Sequence, residues 1–257
     1  KYDQAGLTLT QEERERYEAE GRTPHWRFKI LDEAIEWVDL VRGPVRFEGS
    51  HLSDPVLVRE DGTPIYTLAS VVDDCELAVT HIVRGEDHVA NTAIQVQLIK
   101  ALGYDAEQFH FAHLPLISDE KGEGLSKRLG SMGVSDLKTE GLLPMALNDL
   151  LARIGTSAPV EPFLSLQPLI DSFSFSAFAR ATPKFSETEL RCLNTKILHE
   201  STFYDIQSYL TAWPEMTPQL WDVLKKNIEA FSDLEVWMKI LKGDFEVDFS
   251  PEDQDFL

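Results

Sequence analysis

A strand–helix–strand pattern in the middle of the chain places the strongest limit on the fold. The β-branched residues 79–84 are predicted to form a strand, and residues 109–114 a second strand. Between them, residues 93–102 repeat apolar side chains at helical spacing, and Gly103 follows where glycine commonly ends a helix. Two strands joined by a helix usually lie parallel in one sheet. We therefore predict an α/β fold built on a parallel sheet.

The segments on either side of this unit differ in kind. Residues 10–13 have the pattern of a capping box ahead of a charged surface helix, and residues 26–30 alternate like a strand with one wet face. Residues 56–59 and 65–72 flank a Gly/Pro turn, which predicts two strands in a hairpin-like unit. After Gly141 the pattern becomes helical. Helix starts are predicted at Pro144, Ser186, Thr217 with Pro218, Ser232 and Ser250.

The composition is that of a soluble globular protein rather than a disordered or membrane-spanning one. Of 257 residues, 43% are hydrophobic and 26% are charged, and no stretch is apolar enough for a membrane span. The net charge of −20 is mild evidence against RNA as a partner, although phosphate binding needs only a local basic surface.

The cysteines and the first residues bear on the cellular compartment and on the N-terminus. Cys75 and Cys192 form no C-x-x-C pair, so we expect a reducing cytoplasm. The chain starts at Lys1 without a signal peptide, so we expect its N-terminus to be a cut.

Three segments hold polar or charged residues where chemistry is expected, and each has a plainer interpretation. In the first, Tyr66 lies in a predicted strand that runs into Asp73 and Asp74, which is also the pattern of a buried strand with an acidic turn. In the second, Arg-Gly-Glu-Asp-His at residues 84–88 follows a strand, at the sheet edge where ligands bind in open α/β sheets, or forms a solvated loop. In the third, residues 122–130 place Ser-Lys-Arg among glycines, which suits phosphate contacts or makes an exposed basic loop.

Taken in order, these segments resemble the class I glutamyl-tRNA synthetases. The resemblance begins with residues 65–88 and the Leu-Ser-Lys-Arg loop, and it continues through Gly-Leu-Leu-Pro-Met-Ala-Leu at residues 141–147. It continues again at Phe185-Ser186 and at Leu193-Asn194-x-Lys196. Members of this family activate glutamate with ATP as glutamyl-adenylate and transfer it to the terminal ribose of tRNA without a covalent enzyme intermediate. The resemblance therefore implies a site that works by positioning and charge stabilisation.

The resemblance implies which side chains contact glutamate. Arg84 matches the family arginine that pairs with the side-chain carboxylate of the substrate, and a planar, permanently charged fork suits that task. Tyr66 matches a tyrosine of the amino-acid pocket, and Ser70 stands where some members carry the longer Asn. The alternatives are a core position for Tyr66 and a salt bridge from Arg84 to Asp73, Asp74 or Glu86.

The same resemblance assigns the basic loop to ATP. Ser126, Lys127 and Arg128 match the end of the family motif Lys-[Leu/Ile]-Ser-Lys-Arg, so Ser126 and Lys127 are the expected catalytic residues, with Lys127 neutralising the departing pyrophosphate. Glu86 is expected on the nucleotide side, and Mg²⁺ is expected to arrive with ATP rather than on a protein-bound metal site. Gly124 replaces the first lysine of the motif, and the His-x-Gly-His signature of the family is absent from this chain.

The chain is accordingly expected to hold the second half of a Rossmann-like class I synthetase catalytic domain and an all-helical continuation. Residues 1–65 would end an acceptor-binding insertion, residues 66–138 would complete the catalytic domain, residues 139–216 would form a stem-contact region and residues 217–257 would begin an anticodon-binding domain. The expected partners are glutamate, ATP and tRNA(Glu), with no membrane and no second copy. Without the His-x-Gly-His half, this chain is not expected to form adenylate alone.

Two other functions stay open. A relative that glutamylates a modified tRNA nucleoside would lack an anticodon-binding domain, and the helices predicted after Thr217 disfavour it. A non-catalytic tRNA-binding remnant is favoured by Gly124 and by the absent signature. Trp213, Trp221 and Trp237 are expected to pack in a helical core rather than to stack on bases.

Overall fold

A computed structural model describes residues 2–125 and 133–244, which fall into two compact units. The first unit comprises residues 1–116 and 178–181, and the second comprises residues 117–177 and 182–257. Each unit has a hydrophobic core of its own. Ser250 lies outside the described residues, so the helix start predicted there stays a prediction.

The strands of the first unit form two sheets. They are β1 (Trp26–Arg27), β2 (Ala34–Asp39), β3 (Gly43–Glu48), β4 (Val56–Val58), β5 (His81–Gly85) and β6 (His110–Leu114). β1 pairs antiparallel with β4, and the other four form a sheet in the order β3-β2-β6-β5. β6 runs parallel to both β2 and β5, while β2 and β3 are an antiparallel pair. The predicted α/β fold with parallel strands is confirmed.

The described residues of the first unit form three α-helices, and the second and third of these contribute side chains to its core. They are α1 (Gln11–Ala19), α2 (Tyr66–Glu76) and α3 (Val89–Ala101). α3 joins the parallel strands β5 and β6, as the strand–helix–strand pattern predicts. The sequence predicts a single apolar face on α3, yet polar Thr92, Gln95 and Gln97 are also buried. The core itself is made by Ile35, Val71, Ala93, Val96, Leu98, Ile99 and Phe111.

The segment that contains α2 corrects a sequence prediction. Residues 65–72 are predicted to be a strand, but the chain is helical from Tyr66 to Glu76. Leu68, Val71 and Cys75 have the spacing of one helical face, and all three pack in or against the core. This burial outweighs the β propensity of the branched side chains, which depends strongly on context. The expected turn does form, with a bridge between Val58 and Pro64 and backbone hydrogen bonds from Arg59 to Thr63 and from Ile65 to Leu57, but no second strand follows it.

The second unit is helical. Its helices are α4 (Val134–Thr139), α5 (Pro144–Arg153), α6 (Gln167–Ser172), α7 (Glu187–Glu200), α8 (Phe203–Ile206), α9 (Pro218–Leu224) and α10 (Leu234–Lys242). The starts predicted at Pro144, Ser186 and Thr217 are confirmed, since Ser186 and Thr217 each accept a backbone N–H from the first turn. The helix predicted to open within residues 232–235 is also present, since α10 begins at Leu234 directly after the 3₁₀ turn Phe231–Asp233, but Ser232 does not cap it. The hydroxyl of Ser232 instead donates to the carbonyl of Glu140 at 2.9 Å.

The core of the second unit accounts for the tryptophans. Trp221 is fully buried, and its indole N–H donates to the carbonyl of Ser201 at 3.3 Å. Trp213 and Trp237 are partly buried and pack against the same core. All three side chains therefore contribute to helix packing, as the sequence predicts.

Candidate amino-acid site

The candidate site lies at the carboxyl end of β5, where side chains of α2, α3 and β6 converge. Arg84 is the penultimate residue of β5, and Tyr66 is the first residue of α2. Ser70 follows about one turn later on α2. Because α3 starts directly after the 3₁₀ turn that ends β5, its first turns face back toward Arg84. The local chain path therefore brings the residues predicted to bind glutamate together.

Four hydrogen bonds fix the guanidinium of Arg84. Its Nη2 donates to Thr92 Oγ1 at 2.6 Å and to Gln95 Oε1 at 2.5 Å. Its Nε donates to His113 Nε2 and its Nη1 donates to the hydroxyl of Tyr66, both at 3.3 Å. None of these acceptors is a carboxylate. The alternative of a salt bridge fails among residues 2–125 and 133–244, where Arg84 forms no ion pair with Asp73, Asp74 or Glu86.

Ser70 and Tyr66 belong to the same network. Gln95 Nε2 donates to Ser70 Oγ at 3.0 Å, so Ser70 is connected to Arg84 through Gln95. Tyr66 is 54% exposed and lies edge-on to His88, with 5.7 Å between ring centroids. The alternative of a core tyrosine in a strand is therefore wrong. The contact of these side chains with glutamate stays a prediction.

A buried Asp–His pair lies behind Arg84. The side chains of Asp39 and His113 are completely shielded from solvent, with Asp39 Oδ2 2.5 Å from His113 Nδ1. Asp39 Oδ1 accepts the backbone N–H groups of Val41, Arg42 and His113. Burial acts to raise the pKa of Asp39, but the His113 ring and these backbone donors lower it to about 2. Asp39 is therefore ionised at neutral pH.

The field of Arg84 also reaches a neighbouring carboxylate. Burial raises the pKa of Asp74, and the positive charge of Arg84 offsets part of that rise. The two groups form no ion pair, so the interaction is a longer-range one. The guanidinium thus has neutral acceptors at contact distance and negative charge only further away, an environment that favours binding of an anion.

Glu86 has a local partner. It opens the 3₁₀ turn Glu86–His88 that follows β5, and its carboxylate lies 2.5 Å from Nη1 of Arg42. This ion pair joins the end of β5 to the turn after β2. In the same turn, Nε2 of His88 lies 3.8 Å from Oδ2 of Asp87. The predicted role of Glu86 toward the nucleotide stays a prediction.

The basic loop is described only up to its entrance. Ser126, Lys127 and Arg128 lie outside the described residues, so their predicted contacts with ATP remain predictions. Before them, Ser118 exchanges backbone hydrogen bonds with Pro183 and Phe185, and it forms an isolated bridge with Gly124. The carboxylate of Glu120 accepts a 2.7 Å hydrogen bond from the hydroxyl of Ser186, which caps α7. Within the second unit, the entrance of the loop is therefore fastened beside the start of α7.

Sequence reasoning missed four side chains of this network. Thr92 and Gln95 are polar residues that alternate with apolar ones along α3, and a polar side chain that becomes buried needs a hydrogen-bond partner. His113 gives a similar signal, since it follows Phe111 and Ala112 in a buried strand. Asp39 gives no such signal, because only the pairing of β2 with β6 brings it to His113.

Residues 2–125 and 133–244 contain no group of three or more His, Cys, Asp or Glu side chains able to hold a metal ion. None of the described helices has the length and apolar character needed to cross a membrane.

Comparisons with known proteins identify a family. Residues 1–192 match the family model of the class I tRNA synthetases (E and Q), catalytic domain. Glutamate–tRNA ligase of Azospirillum brasilense is 51% identical over 242 residues, which cover 93% of this chain and 54% of that protein. Glutamate–tRNA ligase 1 of Rhodospirillum rubrum is 44% identical, with 98% of this chain and 56% of that protein covered.

A solved structure is similar over almost the whole chain. The glutamate tRNA ligase from Elizabethkingia meningosepticum, in complex with its amino acid, has a TM-score of 0.75 and 27% identity. The match covers 96% of this chain and 54% of that one, so the chain spans about half the length of the relatives it matches. Since the family model covers most of the sequence, the chain belongs to the class I tRNA synthetases (E and Q) and carries part of their catalytic domain.

Proposed function

We propose that the intact gene product containing this chain is a glutamate–tRNA ligase. It would activate glutamate with ATP, releasing pyrophosphate and forming glutamyl-adenylate, and then transfer glutamate to the 3′ end of tRNA(Glu). The relatives named as glutamate–tRNA ligases, at 44% to 51% identity, support this reaction. The half of their length that this chain does not span is where the missing His-x-Gly-His signature is expected.

The environment of Arg84 carries the proposal. Its guanidinium is held by four acceptors, none of them a carboxylate, and it forms no ion pair with a described residue. A fixed cation that lacks an anionic partner attracts a carboxylate, and a charge-assisted hydrogen bond is roughly twice as strong as a neutral one. Glutamate supplies this charge through its side chain. Glutamine would leave the guanidinium without an anion and place its own NH₂ donors against N–H donors.

Tyr66 and Ser70 support the same orientation of substrate. The hydroxyl of Tyr66 meets Arg84 Nη1 at 3.3 Å, and its ring is 54% exposed, so a ligand can reach both groups. Ser70 accepts from Gln95, which leaves its own hydroxyl proton for another acceptor. We propose that these hydroxyls hydrogen-bond glutamate while Arg84 takes the charge.

The nucleotide side of the proposal depends on the basic loop. Ser126, Lys127 and Arg128 would hold the triphosphate, with Mg²⁺ brought by ATP and Glu86 bordering the nucleotide. The fastening of the loop entrance at Glu120 and Ser186 supports a loop with a fixed base. The negative charge that develops on pyrophosphate would then be stabilised by a cation held near it.

The wider organisation follows from the family. We propose that residues 1–65 end an acceptor-binding insertion, that residues 66–138 complete the catalytic domain, that residues 139–216 contact the tRNA stem and that residues 217–257 begin an anticodon-binding domain. The protein would act in the cytoplasm as a monomer.

The test is ATP–pyrophosphate exchange by the intact gene product, with and without tRNA. We expect exchange that depends on glutamate and that glutamine supports at least about a hundredfold less well, because a buried donor without its charged partner costs about 1–3 kcal/mol per contact. Equal exchange with both amino acids would contradict the assignment of Arg84. Exchange with neither, in a folded protein that still binds tRNA, would favour the non-catalytic remnant, which the Gly124 replacement supports.

A further inference from the structure

The buried pair behind Arg84 has a property that the proposed reaction does not require. Asp39 and His113 are completely buried and lie 74 residues apart in sequence. A buried charge destabilises a fold unless it is paired and hydrogen-bonded. Of the two side chains, only His113 contacts Arg84, and it does so through Nε2. The protonation of that single nitrogen therefore decides whether the contact attracts or repels.

The surrounding hydrogen bonds leave one arrangement of the ring proton. Arg84 Nε always carries a hydrogen that points at His113 Nε2 at 3.3 Å, so this nitrogen must be an acceptor. Thr92 Oγ1 lies 2.9 Å from the same nitrogen and, because it already accepts from Arg84 Nη2, has its own hydroxyl proton to donate there. Nδ1 then carries the ring proton and donates it to Asp39 Oδ2 at 2.5 Å. His113 is thus a neutral ring whose acceptor nitrogen faces Arg84 because Asp39 holds the proton on the other side.

We infer that His113 and Asp39 are positioning residues that fix the orientation of Arg84 for the side-chain carboxylate of glutamate. The inference rests on the proposed function. His113, Thr92 and Gln95 occupy the Nε and Nη2 hydrogens of the guanidinium. Nη1 makes only the 3.3 Å contact with the exposed Tyr66, so one of its two hydrogens is left for substrate. The carboxylate of glutamate therefore approaches at Nη1.

Asp39→Asn separates this role from simple packing. Three backbone N–H groups, from Val41, Arg42 and His113, point at Oδ1 of Asp39. The amide oxygen of the variant must stay there, because only oxygen accepts, and its NH₂ then faces His113 Nδ1. The ring proton has to move to Nε2, where Thr92 Oγ1 can accept it but where it also opposes the N–H of Arg84. The shape is nearly unchanged, but the contact with Arg84 becomes repulsive.

The first measurement is steady-state exchange by the intact gene product. We expect D39N to raise the KM for glutamate roughly tenfold or more, since small misplacement of a binding group is costly, while the KM for ATP changes less than about twofold. The exposed His110, on the same strand, supplies the control variant H110N, which should leave both constants unchanged. A glutamate KM in D39N equal to that of the unaltered protein would overturn the inference.

If D39N does not fold, two variants of His113 test the positioning role instead. In His113→Gln the amide reaches the place of Nε2 and presents an oxygen to Arg84. In His113→Asn the amide reaches only the place of Nδ1, so the bond to Asp39 is kept and the bond to Arg84 is lost. We expect H113Q to hold the glutamate KM within about threefold and H113N to raise it about tenfold. The opposite order would overturn the positioning role.

The ring tautomer is measured independently of activity. Two-bond proton–nitrogen NMR spectra of the histidine rings should show the proton of His113 on Nδ1, and on Nε2 in D39N; the signals lost in H113Q give the assignment. A ring protonated on Nε2 in the unaltered protein would overturn the inference, whatever the enzyme does. An unaltered protein that has the Nδ1 tautomer but no glutamate-dependent exchange would instead overturn the proposed function.

Discussion

At the scale of single residues, the site is defined by how few charges touch Arg84. Its four acceptors are side chains of Tyr66, Thr92, Gln95 and His113. Each such bond contributes modestly to net stability, on the order of 1 kcal/mol, but together they leave one orientation of the guanidinium. Arg84 makes no ion pair with a described residue, so its charge is available to the proposed substrate.

Removal of the Tyr66 hydroxyl is predicted to affect binding and not folding. In Tyr66→Phe, glutamate loses about 1 kcal/mol of hydrogen bonding, so its KM in exchange should rise about three- to tenfold. The melting temperature should stay the same, because the ring is 54% exposed. Tyr104→Phe is the matched control, since Tyr104 is also exposed and its hydroxyl contacts Glu76 instead. A parallel loss of stability in Y66F would contradict this interpretation.

Asp149 is predicted to make stability depend on pH in the second unit. It is fully buried, and burial raises its pKa from 3.8 to about 6, although the Phe163 N–H and the charge of Arg153 oppose the rise. Within the described residues, its Oδ1 has no hydrogen-bond partner. The folded chain binds this proton more tightly than the unfolded chain does. Below pH about 4, ionisation of Asp149 therefore takes nothing from the free energy of unfolding. As the pH rises, that free energy falls, and above pH about 6 it is lower by up to about 3 kcal/mol.

The measurement compares urea unfolding of the protein and of Asp149→Asn between pH 4 and 7. The stability of the protein relative to the variant should fall by up to about 3 kcal/mol over that range. The same change at Asp171, an exposed residue of α6, serves as the control. Parallel pH profiles for the protein and D149N would show that Asp149 titrates normally.

At the scale of elements, helix N-caps could be predicted from the sequence, because the residues that form each cap are neighbours in the chain. Thr10 and Glu13 form the predicted capping box, and Ser186 and Thr217 cap their helices as expected. The strand–helix–strand unit could be predicted equally well. The spacing of its apolar residues indicates the helix, and Gly103 indicates where that helix ends. What failed was residues 65–72, where β-branched side chains face a core that only the folded chain supplies.

Only the part of the site whose residues are close in sequence could be predicted. Arg84, Tyr66 and Ser70 lie within 19 residues of one another and carry family motifs, so the sequence pointed to them. His113 and Asp39 come from strands far apart in the chain, and their contact depends on a single parallel pairing of β2 with β6. No local pattern encodes which strands become neighbours.

The cap of α7 is predicted to stabilise the second unit. Ser186→Ala removes the acceptor for the Glu189 N–H and the hydroxyl that contacts Glu120, which should cost about 0.5–2 kcal/mol of unfolding free energy. Thr188→Ala, at an exposed position in the same first turn, is the control and should be close to neutral. Thermal unfolding of both variants checks this, and equal melting temperatures would contradict the capping role.

At the scale of the whole molecule, charge is strongly unbalanced. The chain has 24 Lys and Arg against 44 Asp and Glu, a net charge of −20. Most ion pairs in the described part of the chain are exposed, and such pairs contribute only about 0–1 kcal/mol each. Self-repulsion therefore outweighs them in its effect on the compact state.

This balance predicts that salt stabilises the chain. Raising NaCl from about 0.05 M to about 0.5 M shortens the screening length severalfold, so the melting temperature should rise by a few degrees. The proposed binding of tRNA by the intact gene product should weaken over the same range, because phosphate contacts release counterions. A melting temperature that falls with salt would show that attractive pairs dominate.

The central claim is that Arg84 recognises the carboxylate of glutamate, and Arg84→Gln in the intact gene product tests it most directly. Exposed Arg46, paired with Glu36 and Glu48, provides the control variant R46Q. We predict that R84Q lowers kcat/KM for glutamate in ATP–pyrophosphate exchange roughly 30- to 100-fold, with the KM for ATP nearly unchanged, because one charge-assisted contact is lost. An R84Q protein with the glutamate kcat/KM of R46Q would contradict the claim.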